Sequence, residues 1–185
     1  LGLGGFGGWN WYVQNKIEAQ EAASTQFEQF VDVASAEDVN SDKIDGELKA
    51  FIDTHGESGY AIFVNLIAAK QAVSDKKFDV ALSYLEQASA KVSDSSLKGL
   101  IATRIARVQM QLQQFDAALA TLNTVDNQGY KARVAELKGD VYKAQGDVDK
   151  ARLEYQTAAD NGGLQGNNVL QMKLDDLALS ANSGN

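Results

Sequence analysis

The chain has no cysteine and no proline, only one histidine, and fewer basic than acidic side chains. Without cysteine there is no disulfide, no thiol nucleophile and no thiolate metal site, a state compatible with an oxidising compartment. Without proline, segments rich in leucine, alanine, lysine, glutamate and glutamine have nothing to interrupt them, which favours helices joined by short turns. Strand signals are not evident. A lone histidine, His55, is a poor foundation for nucleophilic or metal chemistry. It stands beside Gly56 where a helix should end, and there a cationic or hydrogen-bonding end residue is expected. The net charge of −8 repels a phosphate backbone, and no basic stripe offsets it. No phosphate loop, His/Glu ligand spacing or nucleophile elbow appears, and the GxGxxG match at Gly2–Gly7 follows no strand, so it is accidental. Acid pairs such as Glu37-Asp38 and Asp175-Asp176 read as solvated surface. The sequence therefore predicts no enzyme, no cofactor and no metal.

What the chain does have is a repeated phrase. Phe78-Asp79-Val80-Ala81-Leu82 returns as Phe115-Asp116-Ala117-Ala118-Leu119 and, loosened, as Val148-Asp149-Lys150-Ala151-Arg152. Ala81 to Ala118 is 37 residues and Ala118 to Ala151 is 33, close to the ~34-residue period of tetratricopeptide repeats, in which each unit is a helix pair. Aligning those alanines places Ala69, Ala106 and Gly139 twelve residues before them, and Ala88, Val125 and Ala158 seven after. All but Val125 are small, as close approach of two helices requires. Phe78, Phe115 and Val148 fall at the helix entry, and Leu85, Leu122 and Tyr155 one turn past the alanine, where they can fill the seam. The aromatic usual near the start of the first helix and the closing proline are missing, so the repeats are divergent.

The 44% apolar and 23% charged composition suits one ordered domain. Helical spacing predicts helices over 15–34 and 41–54, with Ser41 and Asp42 as caps of the second. Three pairs follow: 58–92 turning at Asp75-Lys76-Lys77, 97–125 turning near Gln113-Gln114, and 130–160 turning at Gly146-Asp147. After Asn161-Gly162-Gly163 a last helix over 167–181 sets Leu170, Leu174 and Leu177 on one face, as a capping helix should.

The first residues, LGLGGFGGWNWYV, are apolar and glycine-rich with no charge before Lys16. Thirteen residues cannot span a bilayer, which takes about 20 in a helix. They read instead as the end of a longer span, with Trp9, Trp11 and Tyr12 at the membrane interface and Gly4 with Gly8 in small-xxx-small spacing. Residues 1–14 are thus expected to be the C-terminal part of a truncated transmembrane segment, and 15–185 a periplasmic domain. A signal-peptide remnant or a glycine-rich linker is the alternative.

With no chemistry to place, the expected function is docking. In stacked pairs the first helices line a concave groove. The register puts Phe63, Leu66, Lys70 and Val73 there from the first pair, Leu100, Thr103, Arg107 and Met110 from the second, and Arg133, Glu136, Asp140 and Lys143 from the third. Any of the apolar ones can equally be core. A partner segment could bury side chains at the apolar end and be oriented by charges at the other. The expected fold is all-α: a TPR-like right-handed solenoid of helix hairpins with a C-terminal capping helix, preceded by the end of a transmembrane helix.

Five stretches in this order and spacing resemble the YfgM family, the ancillary subunit of the bacterial SecYEG translocon: GGWNWY, ELKAFIDTHGESGYAIFVNLIAAKQAV, TRIARVQMQLQQFDAALATLNTV, AELKGDVYKAQGDVDKAR and LQMKLDDL. The resemblance implies a single-pass protein of the bacterial inner membrane with a periplasmic TPR domain. It also implies partnership with SecYEG and with PpiD, a membrane-anchored periplasmic chaperone, assisting secreted or membrane proteins that leave the channel, and it supplies no catalytic residue. A soluble TPR adaptor, or a holdase binding unfolded clients in the groove, remains the alternative.

Overall fold

The computed structural model describes residues 3–182, with side chains over 10–177. Those residues form helices and turns without a strand: α1 (Leu3–Ala34), α2 (Ser41–His55), α3 (Tyr60–Ser74), α4 (Phe78–Lys91), α5 (Ser95–Gln111), α6 (Phe115–Asn123), α7 (Lys131–Ala144), α8 (Val148–Ala158) and α9 (Asn168–Asn182). They divide into two compact units, the first ending at Ala88 and the second starting at Ser89.

The slots read from the repeat are where the cores lie. Ala81, Ala118 and Ala151 are wholly buried, as are Ala106, Ala88 and Ala158, and Leu85, Leu122 and Tyr155 are at most 2% exposed. In the second unit, α5 packs on α6 and α7 on α8, while α7 also lies against α5 and α6. One apolar cluster joins Ala106, Ala118, Leu122, Val134, Leu137 and Val141. The next joins Ala135, Ala151, Tyr155, Ala158, Leu170 and Leu177, so α9 covers the last pair with the leucine face that its sequence presents. Val148 departs from the pattern: at the entry of α8 it is 39% exposed, where Phe78 and Phe115 are half-buried.

Each pair turns in the same way, a regularity finer than the sequence period. Lys76, Gln113 and Gly146 all have positive φ, 60°, 59° and 81°. They are separated by the same 37 and 33 residues as the alanines. The N–H of the following residue reaches back to close the helix: Lys77 to Ala72 O at 2.8 Å, Gln114 to Gln109 O at 2.8 Å and Asp147 to Tyr142 O at 2.9 Å. This is the Schellman arrangement, which needs a left-handed residue after the helix. Only the third pair uses the glycine for which that conformation carries no steric cost. Helix starts are capped by Asp94 from Leu97 N at 2.8 Å and by Asp147 from Lys150 N at 3.1 Å.

In the first unit α1 packs on α2 and α3, and α2 on α3. Ala23 and Phe30 of α1, Ile44, Leu48 and Phe51 of α2, and Ala61, Val64, Ala68 and Ala72 of α3 supply the buried face. The start of α2 corrects the sequence reading of its cap. Asn40, not Ser41 or Asp42, accepts the Lys43 N–H at 3.0 Å. Ser41 is already the first residue of the helix, one position past the cap, and its own N–H donates to Asp75 Oδ2, 2.6 Å away in the α3–α4 turn. That backbone bond, first among several, holds the Asp75 carboxyl below its ordinary value. The Tyr84 hydroxyl donates to Asp45 Oδ1, tying α4 to α2.

The expected membrane-exit aromatics fall on α1. Trp11 is 68% exposed and Tyr12 53%; the side chain of Trp9 and all of Leu1 and Gly2 lie outside the described residues. No helix among the described residues is long and apolar enough to cross a membrane.

Candidate docking surface

The twelve groove positions separate into three environments. On α3, Phe63 and Val73 are exposed, at 46% and 39%, Lys70 is exposed and Leu66 is half-buried. The stripe therefore offers apolar area to solvent, with one lysine within it. Its origin is local: α3 carries more apolar residues than one buried face can take, and Ala61, Val64, Ala68 and Ala72 already fill that face. Phe63 is steadied from α1, its ring 6.4 Å from that of Phe27, which in turn stacks on Tyr60 at 4.9 Å. The Tyr60 hydroxyl lies 3.2 Å from Ser24 Oγ. Phe63 and Tyr60 also border a trough of about 920 Å³ between α1 and the α2–α3 connection, with Lys16, Ala23 and His55 among its walls. His55 itself ends α2, half-buried, its ring 5.5 Å from that of Phe51.

On α5 the picture differs. Arg107 is exposed and Leu100 half-buried, but Thr103 is buried, its hydroxyl donating to Leu100 O at 2.8 Å. Met110 is half-buried and packs against the core shared by α6 and α7. Thr103 thus has no groove-facing surface to offer, because α5 is covered on more than one side, as its buried Ile101, Ala102, Ile105 and Val108 show.

On α7 the charges are engaged within the chain. Glu136 is 4% exposed. Its carboxylate accepts from Arg133 at 2.9 Å, Lys173 at 2.8 Å and Asn167 at 3.1 Å. Asp140 accepts from Lys173 at 2.9 Å and from the Tyr155 hydroxyl at 2.8 Å. Lys143, exposed, reaches Asp176 at 3.6 Å. Burial by itself would raise the Glu136 carboxyl, but Lys173 and Arg133 outweigh it and hold it below the ordinary 4.5. The Tyr155 phenol is pushed up by burial, and Asp140 adds to that. Glu136 is accordingly a structural ion rather than a free groove charge.

The sequence reading missed Lys173 and Asn167, which come from outside the repeats. A signal existed: Lys173 stands three residues after Leu170 and one before Leu174, at the edge of the stripe that α9 buries, where a lysine stem packs and its head needs an anion.

Small residues interlocking between paired helices and three like turns define the class: a helical-repeat protein. A family model described as a tetratricopeptide repeat-like domain matches residues 1–179. Three curated relatives are each named ancillary SecYEG translocon subunit. That of Haemophilus influenzae is 32% identical over 177 residues, 96% of this chain and 85% of the relative. Those of Aggregatibacter actinomycetemcomitans and Escherichia coli K12 are 33% and 31% identical, covering 96% and 97% of this chain and 85% of each relative. The chain belongs to this family, the YfgM-type ancillary translocon subunits with a TPR-like domain.

Proposed function

We propose that the chain is a membrane-tethered scaffold that docks beside the SecYEG translocon on the periplasmic side and presents its repeat surface to a PpiD-like chaperone, assisting proteins that leave the channel. Residues 1–14 are read as the end of its membrane segment, with Trp9, Trp11 and Tyr12 at the interface, and residues 15–185 as the periplasmic domain. Family membership supports the assembly, and one observation supports the mode of docking: the α3 stripe, where Phe63 and Val73 stay open to solvent beside half-buried Leu66 and exposed Lys70. The same open stripe favours a second reading, in which unfolded secretory clients bind there directly.

The test is co-isolation from gently solubilised membranes, using the full-length protein. Translocon and chaperone subunits are expected with the wild type. Phe63→Lys should lower their recovery at least fivefold and lower the thermal midpoint far less in proportion, because Phe63 is nearly half exposed and its ring meets α1 through Phe27 at 6.4 Å. No translocon subunit with the wild type would refute the scaffold; an equal loss of recovery and stability would mark Phe63 as core.

A further inference from the structure

α1 changes character at Ala23. From that residue onward it is held by two helices. Ala23 and Phe30 are buried, Gln26 accepts from the Thr54 hydroxyl of α2 at 3.0 Å, and Phe27 meets Tyr60 and Phe63 of α3. Before it, every residue from Asn10 to Ala22 is exposed except half-buried Val13. Lys16, Ala19 and Gln20 in this stretch border the open trough.

The helix nonetheless runs without a break from Leu3 to Ala34. Neither glycine nor proline occurs between Trp9 and Ala34, and Lys16, Glu18, Ala19, Gln20, Glu21 and Ala22 are good helix formers. The docked turns supply the nucleus, so the exposed ones have only to propagate it. Those exposed turns bury almost nothing. What they fix is direction. Tyr12 and Phe27 are 15 residues apart, about 22 Å along a helix axis and about 60° around it. Phe63, at the head of the α3 stripe, rests against Phe27. One helix therefore relates the aromatic end of α1 to the stripe, in distance and in azimuth.

We infer that the exposed part of α1 is a rigid spacer that aims the α3 stripe. It sets how far Phe63 stands from the membrane surface and which way the stripe faces, so that the stripe meets a partner fixed in the same membrane. The inference rests on the scaffold reading above. The phase of α1, rather than the identity of its exposed side chains, carries it.

The test uses the full-length protein with a photoreactive residue in place of Phe63, and measures adducts with translocon subunits in intact cells. Two alanines inserted between Glu18 and Ala19 turn the domain by about 200° and move it about 3 Å along the axis. Four turn it only about 40° past a full turn and move it about 6 Å. The two-alanine variant should lose at least fivefold in adduct yield, and the four-alanine variant should keep more than half. A spacer that sets phase requires that order, with the longer insertion the milder; a distance requirement or a damaged fold gives the reverse or equal losses. Equal yields from wild type and both variants would overturn the inference, and so would a four-alanine loss as large as the two-alanine loss. Absence of adducts from the wild type would refute the scaffold reading itself, and the inference with it.

Discussion

Replacing Gly139 with alanine should cost about 2–3 kcal/mol of stability, although the change adds one methyl group to a helix and alanine is the better helix former. A Cβ at Gly139 would stand 2.4 Å from both Cδ1 and Cε1 of Tyr155. The ring has no room to yield. Tyr155 is wholly buried, and its hydroxyl is anchored 2.8 Å from Asp140. Either α7 and α8 separate, losing contacts along the seam, or Tyr155 leaves its rotamer and breaks that bond. Gly46→Ala is the control: α2 has open space there, and the substitution should stabilise by about 0.5–1 kcal/mol through propensity alone. Urea denaturation measures both. Gly139→Ala as stable as wild type would mean that the two helices do not meet through the small residue.

Glu136→Gln should cost about 2 kcal/mol at neutral pH, the range expected when a buried, charge-assisted hydrogen-bond set loses its ion. It should also change how the protein responds to acid. The folded Glu136 carboxyl lies below its ordinary value of 4.5, so the unfolded chain takes up this proton first as the pH falls. Its contribution is complete above about 4.5 and is lost as the pH drops through the lower folded value. Wild-type stability should therefore fall more steeply than that of Glu136→Gln below that pH, and the two should converge. Chemical denaturation repeated down the acid range reads the difference. Parallel curves would show that Lys173 and Arg133 do not hold the carboxylate in its ionised form.

Much of the architecture was legible because it is local and periodic. The spacing of Ala81, Ala118 and Ala151 located the pairs, and the small residues around them located the seams. The turns fell where Lys76, Gln113 and Gly146 now show left-handed backbone. The docking face was less legible, since the side of a helix that remains open depends on what else packs on it. Thr103 and Glu136 occupy groove positions by register, yet α5 is covered broadly and α7 is met by α9. Lys173 lies 37 residues from Glu136 in sequence, and no local pattern couples them. The cap of α2 is Asn40, one residue before the pair offered by the sequence, because its side-chain oxygen reaches the Lys43 N–H.

On the scaffold reading, the open faces of the first helices, and not the buried positions sharing their register, should meet the assembly at the channel. Site-specific photo-crosslinking in intact cells tests it most directly, with the photoreactive residue placed at Phe63 in one strain and at Thr103 in another. Adducts with translocon or chaperone subunits should form from Phe63 and none from Thr103. Adducts of equal yield from both sites, or none from Phe63, would contradict it.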